Sequence, residues 1–492
     1  MAAPLRIHPR NPKLFEFRGK PRVLVCATEH YGAVLNRAFR FEVYLAEAAL
    51  RRQTLTRLFT LFRELQSANN PYSSCKPETP DYLAPFLRTG PEKALDGEPK
   101  YDLDQWNPEF FERLHRFLSL SSEYGIGVEV VLLSNTYGEN IWALNPLNPQ
   151  NNVNGLEAMH WPEYMTQRHE QLFAYQCAHV RKIVEETCSY DHVLYEICNE
   201  PGGKAPTGRP DNPAPEEVDQ WQAALAGLVR QVEEERGTRH LIAGQQAFTW
   251  TPFFQPADQT FAGESPFEVV NIHPLPNTSV RGQSYDLGAF MSKQLRLRQL
   301  RDYCLAAYPL AKPLNLDEDN AATQYRDPSG WTLHRKRAWM ALMCGAHYDC
   351  IDFSLLPGRE AGTPESQRHL RAWMGHLSEF VHSLDLVAAK PLEGFLKQQP
   401  PHTVEAVLGV PGQDYCVYLA DGREVEEIGA GRPIEGRLMF DLPMGWYRTA
   451  CYSPATGLYS PWHYLRGGSM IRLGVPDFEQ DLVLRILRDA GP

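Results

Sequence analysis

The chain has 492 residues, 43% hydrophobic and 22% charged, with a mean hydropathy of -0.41. This composition excludes disorder and fibrous repeats, and no run approaches the ~18 consecutive apolar residues of a membrane span. Lys+Arg 49 against Asp+Glu 60 leaves a net charge of -11, with no Lys/Arg-rich stripe, which excludes a nucleic-acid partner.

The opening segment, MAAPLRIHPRNPKLFEFRGK, is basic but lacks the apolar core of roughly 7–15 residues found in a secretory signal. A cytoplasmic protein, or a secreted one already trimmed, is expected. From residue 21 onward, short Val/Ile/Leu/Phe-rich runs bounded by turn residues alternate with helix-period segments. The strand-like runs cover 21–28, 55–62, 127–134, 192–200, 240–247, 268–275, 312–319 and 348–356. The helical segments cover 40–52, 108–124, 163–188, 215–237, 290–307, 332–345 and 365–384. The segment at 215–237 begins PAPEEVDQW, with proline and acids where a helix start prefers them. Eight strands with seven helices predict an α/β fold, a (β/α)8 TIM barrel; only 248–267 offers no helix where a fifth belongs. Helix-to-strand connections are tight, whereas the strand-to-helix connections at 63–107, 135–162, 201–214 and 248–267 are long. Barrel active sites are built from those loops, so chain length concentrates where chemistry would sit.

Near 389–402 the periodicity changes to short strands and turns. This predicts a catalytic barrel over 1–388 and a small antiparallel all-β sandwich over 389–492. Ten scattered cysteines with no CxxC pair, several of them inside apolar strands, read as buried free thiols rather than a disulfide framework.

The most informative run is VLYEICNEP, Val193 to Pro201. Period-two alternation turns Val193, Tyr195 and Ile197 toward the helices and leaves Glu196, Cys198 and Glu200 on the barrel side. A glutamate at the last strand position projects from the C-terminal mouth, as a catalytic group or a loop cap. The seventh strand reads LNLDED. Alternation puts Leu314, Leu316 and Glu318 on one face and Asn315, Asp317 and Asp319 on the other. Because barrel interiors are themselves filled with Leu and Val, the pattern leaves open which face is inside.

YEICNEP resembles the Asn-Glu-Pro signature that ends the fourth barrel strand of clan A glycoside hydrolases, such as families 5 and 2. The resemblance covers roughly residues 20–385. It implies that Glu200 is the general acid/base, that Asn199 bonds the sugar 2-hydroxyl, and that a nucleophilic glutamate ends strand seven. That choice selects Glu318 over Asp317 and Asp319, about 120 residues beyond Glu200, or three βα units. The implied reaction is retaining cleavage of a β-glycosidic bond. The leaving oxygen needs a proton, the anomeric carbon a nucleophile, and the two carboxyl groups stand ~5–5.5 Å apart. Glu200 then serves as base for water in the second step.

Supporting residues follow from the same resemblance. Arg57 on strand two matches a clan arginine beside the nucleophile, with an ion pair to Glu196 as a compatible alternative. His273 follows Asn271 on the polar face of strand six, where a clan histidine or tyrosine often touches the nucleophile, with an ordinary core histidine as the alternative. His30 ends strand one, as a hydroxyl partner or a turn former. Asn135 ends strand three, where a histidine is often seen. Trp142, Trp161, Trp250 and Trp331 lie in or just after the long loops, to stack on a pyranose ring or to pack beneath the loop. Strand eight lacks the tryptophan platform of many members and strand six lacks the His-x-Tyr pair of family 5, so no substrate carries over. No HExxH, His-x-His, phosphate loop or GxSxG occurs, so no metal or cofactor is expected. The expected partner is a carbohydrate, as a short oligosaccharide or by exo-action because long loops narrow the cleft. The non-enzyme alternative is a carbohydrate-binding pseudo-glycosidase.

Overall fold

The computed structural model describes residues 4–29, 32–63, 77–202, 213–247, 259–273, 279–280, 283–284, 296–319, 327–425 and 427–491. Eight strands form one parallel sheet: β1 Val25–Thr28, β2 Leu55–Phe59, β3 Gly127–Ser134, β4 Val193–Asn199, β5 Ile242–Gly244, β6 Val269–Ile272, β7 Leu314–Asp319 and β8 His347–Ile351. Their order, β1-β8-β7-β6-β5-β4-β3-β2, is that of a barrel. At the β1–β2 seam the Thr54 N–H donates to the Val25 carbonyl (3.0 Å) and the Val25 N–H to Thr54 Oγ1 (2.9 Å). Seven of the eight strands lie inside the runs picked out by the sequence, and β8 starts one residue before its run, at His347. Such strands are buried on both faces, so they read as apolar runs bounded by turns.

Among the described residues, seven helices of ten residues or more cover the barrel: α1 Phe41–Leu50, α2 Pro108–Tyr124, α3 Glu170–Thr187, α4 Pro215–Arg236, α5 Leu297–Ala307, α6 Pro328–Met343 and α7 Leu370–Val381. The ends of α2 show why. Asn107 caps it by accepting from the Glu109 N–H (3.1 Å), Pro108 opens it, and Gly125 closes it in the left-handed region at φ +69°. Between β5 and β6 the described residues hold only a 3-10 turn, Gln259–Phe261.

Two features differ from the sequence reading. The run 21–28 is split: Lys20–Arg22 belongs to a three-stranded N-terminal sheet with Arg6–Ile7 and Phe15–Phe17. Its hairpin turns on Arg18 and Gly19, both at positive φ (+49° and +77°), as a tight two-residue turn requires. Phe15, Phe17 and Leu5 cluster with Leu24, Leu55, Leu194 and Val269 and close the bottom of the barrel. The long connection after β2 also contains an antiparallel hairpin, Phe86–Lys93 with Pro99–Trp106.

The C-terminal part is two antiparallel sheets. The larger includes Thr403–Val410, Asp414–Asp421, Gly445–Ser453 and Asp481–Asp489; the smaller holds Leu396–Gln398, Ile434–Asp441 and Met470–Phe478. The larger sheet is apolar on both faces. Val407, Val417, Leu419 and Ile486 join the core between the sheets, whereas Leu408, Cys416, Tyr418 and Val483 join barrel residues Trp339, Leu377 and Phe380 in one cluster. Helix α6 lies in that seam, with Thr332 to Met343 all buried. The nine described cysteines are all free. Among the described residues no helix is long and apolar enough to cross a membrane.

Candidate active site

At the C-terminal mouth, the residue following β4 and the next-to-last residue of β7 are glutamates with left-handed backbone, Glu200 at φ +47° and Glu318 at φ +53°. Such a conformation costs a residue with a Cβ on the order of 1–3 kcal/mol and persists where surrounding contacts impose it. Both side chains are nearly enclosed, at 3% and 4% exposure.

The register question on β7 resolves through a bulge. Asn315 and Asp317 face inward: Asn315 Nδ2 donates to Asn271 Oδ1 (3.4 Å), and Asp317 Oδ2 lies 3.1 Å from Arg57 Nε. Leu314 and Leu316 pack with the helix layer. Then Leu316 stands opposite Tyr348 but Asp319 opposite Cys350, three steps against two. The extra residue breaks the alternation. Asp319 turns outward to Arg337 Nε and Tyr348 OH (2.6 Å each), and Glu318 turns into the mouth against Arg57 Nη1.

Arg57 sits at the centre. Besides Glu318 and Asp317, its Nη2 donates to Glu196 Oε2 (2.5 Å) and Asn199 Oδ1 (3.1 Å), and Glu129 Oε2 is 4.0 Å from Nε. The sequence offered a contact with Glu318 or a Glu196 pair; the side chain makes both. Burial works against its charge, but Asp317, Glu196, Glu318 and Glu129 outweigh it and hold the guanidinium well above its ordinary range. Burial pushes the Glu318 carboxyl up, and His273 and Arg57 pull it back. Burial likewise drives Glu129 and Glu196 up.

His273 bridges the two glutamates. Its Nδ1 is 3.0 Å from Glu200 Oε1, and its Nε2 is 3.6 Å from Asp317 Oδ2 and 3.9 Å from Glu318 Oε2. Burial disfavours the imidazolium, but Glu318, Asp317 and Glu200 together hold it well above the usual histidine range. Asn199 is fixed by three partners: Arg57, Tyr137 OH (2.8 Å from Nδ2) and Ser134 Oγ (3.2 Å).

Other residues singled out by the sequence sit differently. Asn135 spends its side chain on backbone: Nδ2 donates to the carbonyls of Glu200 (2.9 Å) and Gly202, and Oδ1 accepts from the Tyr137 N–H (2.8 Å). It clamps the loop after Glu200 rather than offering an amide to a ligand. Trp142 is corrected too. At 3% exposure it packs against Tyr164, ring centroids 5.5 Å apart, and bares no face for a sugar. Trp161 and Trp331 are half-buried against the cores. His30 and Trp250 lie outside the described residues. Two contributors escaped the sequence reading: Glu129, whose Oε1 accepts from Asn271 Nδ2 (2.6 Å), and Tyr137, at φ +54°. A lone charge within the apolar run GVEVVLLS was the available signal for Glu129.

One atom each of Glu200, His273 and Glu318 lie within 4.8 Å of one another, as do atoms of Glu196, His273 and Asp317. Either trio has metal-ligand chemistry. However, the Arg57 guanidinium already lies against Glu196, Asp317 and Glu318, and a dication there would meet like charge in a low dielectric. The arrangement suits holding and moving protons.

In sequence, residues 75–185 match the model of a domain of unknown function, DUF6298. No curated protein matches the chain. In structure, the chain is similar to a protein described as a glycoside hydrolase, with TM-score 0.61, 11% identity, and coverage of 100% of this chain and 98% of the other. It is also similar to a glycoside hydrolase family 5 protein from Bacteroides vulgatus (TM-score 0.62, 12% identity, 99% and 94% covered). A glycoside hydrolase family 30 subfamily 8 xylanase from Clostridium acetobutylicum aligns with TM-score 0.50, 9% identity, and 96% and 97% covered. These likenesses show a shared fold along the full chain.

Proposed function

We propose that the protein is a retaining β-glycoside hydrolase in which Glu200 is the acid/base and Glu318 the nucleophile. The observation that carries this reading is the approach of a Glu200 carboxyl oxygen to within 4.8 Å of one of Glu318, across the barrel mouth. Retaining enzymes keep their carboxyl groups about 5–5.5 Å apart, whereas inverting ones leave about 6.5–9.5 Å for a water. The glycoside hydrolases that share the fold support the reaction class.

The chemistry follows from the contacts. Two carboxyl groups this close ionise one at a time. Glu318, held by Arg57 Nη1, takes the ionised role and attacks the anomeric carbon; Glu200 gives its proton to the leaving oxygen. Once Glu318 is an ester its charge is gone, so Glu200, beside the His273 imidazolium, rests as carboxylate and draws the proton from water. Asn199, oriented by Arg57, Tyr137 and Ser134, lies beside Glu200 for the sugar 2-hydroxyl. The hairpin Phe86–Trp106 is bonded to the long loop after β3 through the Tyr101 N–H and the Asn151 carbonyl (2.8 Å). Walls of this kind favour short oligosaccharides or exo-action, and random mid-chain cleavage of a polysaccharide is the result against it.

The test uses aryl β-glycosides (glucoside, galactoside, mannoside, xyloside, fucoside) with azide. Glu200→Ala is expected to yield a β-glycosyl azide and Glu318→Ala an α-azide. Glycan binding by the wild type with no turnover on any glycoside or polysaccharide would overturn the enzyme in favour of a carbohydrate binder.

A further inference from the structure

We propose that Asp319, Arg337 and Tyr348 are positioning residues for Glu318: their buried contact on the outside of the barrel draws β7 out of its regular pleat and so turns Glu318 into the mouth. The proposal rests on the reading of Glu318 as nucleophile.

A regular pleat would carry Asp319 inward after Asp317 and leave Glu318 against the helices. Whichever carboxylate turned inward, Asp319 or Glu318, would join Glu129, Glu196 and Asp317 around one guanidinium, so the interior does not choose between them. The exterior does. Asp319 Oδ2 accepts from Arg337 Nε and from Tyr348 OH, both at 2.6 Å, with Arg337 and Asp319 side chains 0% and 1% exposed. Charge-assisted bonds in such a dry setting are strong, and the extra residue and the left-handed backbone fall on Glu318 as a consequence.

The anchor is itself held. Arg337 lies on α6, where Arg335 pairs with Asp481 through two bonds (2.7 and 3.0 Å) and Lys336 Nζ donates to the Asp421 carbonyl (3.0 Å). Both partners belong to the β-sandwich. Tyr348 OH also meets His334 Nδ1 at 3.0 Å. A rigid path thus runs from the sandwich through α6 to Asp319, one residue from Glu318.

The test follows nucleophilic attack alone. Wild type, Tyr348→Phe and Asp319→Asn are incubated with 2-deoxy-2-fluoro-β-glycosyl fluorides of the gluco, galacto, manno and xylo series, and labelling of the Glu318 peptide is timed by mass. The maximal labelling rate is expected to fall about tenfold in Tyr348→Phe and about a hundredfold in Asp319→Asn, as for an ångström-scale misplacement, with the half-saturating inhibitor concentration unchanged. Tyr348→Phe keeps the ring in place, so it carries the test if Asp319→Asn fails to fold. Labelling of folded Tyr348→Phe at the wild-type rate overturns the anchor while Glu318 stands as nucleophile. No label on Glu318 in the wild type overturns the nucleophile and the anchor with it.

Discussion

Arg57 carries the charge balance of the barrel interior. A single guanidinium, 3% exposed, meets Glu196, Asp317 and Glu318 through different nitrogens. Removing one member of a buried ion pair leaves an uncompensated charge, at a cost of about 3–5 kcal/mol. Here the stranded groups are carboxylates, which can escape the penalty by taking up protons. Arg57→Met is therefore expected to lose more stability at pH 8, where the carboxylates are driven to ionise, than at pH 5. The same change lets the Glu318 carboxyl rise further, so the acidic limb of kcat/KM moves to higher pH. Arg57→Lys restores little, because one ammonium cannot reach three carboxylates from three nitrogens. Urea unfolding at the two pH values checks this, and an equal loss at both would sink it.

At the scale of single elements, β8 begins with a histidine that ties it to the segments leading into β1 and into the N-terminal strand Phe15–Phe17. His347 Nδ1 accepts from the Leu24 N–H (3.0 Å) and Nε2 donates to the Lys13 carbonyl (2.9 Å), which fixes the neutral tautomer. Burial holds its pKa down to about 4. The unfolded chain takes up this proton near pH 6.5 and the folded one only near pH 4, so the contribution is whole above pH 6.5 and is lost as pH falls through that interval. His347→Gln is expected to be the less stable protein at pH 7 yet to have the shallower profile. Between pH 6.5 and 5 the wild type should lose about 2 kcal/mol more than the variant, at ~1.4 kcal/mol per pH unit for one proton. Parallel profiles from urea titration would refute it. The elements also show what a sequence can tell. The eight strands were legible because each is an apolar run between turns, and Arg57, Glu196 and Glu200 because each breaks such a run at a telling place. The Glu318 bulge was not, since periodicity cannot register a one-residue insertion that is decided by Arg337 and Tyr348 from elsewhere in the chain. Trp142 stayed open because a loop tryptophan reads the same whether its face is bare or packed on Tyr164. The N-terminal strands of two or three residues were too short for alternation to show.

At the scale of the whole molecule, the described residues of the barrel and the sandwich share one core. One apolar cluster passes from Val25 and Leu316 in the barrel through Trp339 and Phe380 to Leu408, Tyr418 and Val483 in the sandwich. Trp339 stacks on Tyr418 (5.7 Å), Phe380 meets Tyr452 (4.7 Å), and Arg335–Asp481 and Arg301–Glu405 (2.7 Å each) flank the contact. Rings of this size bury ~150–250 Å² each. A chain ending at residue 388 would expose Trp339 and Phe380 as a contiguous patch and strip Arg335 and Lys336 of their partners on Asp481 and Asp421. Such a chain is expected to aggregate, and the full-length protein to unfold in a single transition that coincides by far-UV circular dichroism and tryptophan fluorescence. A soluble, monomeric, cooperatively melting barrel of residues 1–388 would show instead that the sandwich is dispensable to the fold, and would break the mechanical path from the sandwich to Asp319.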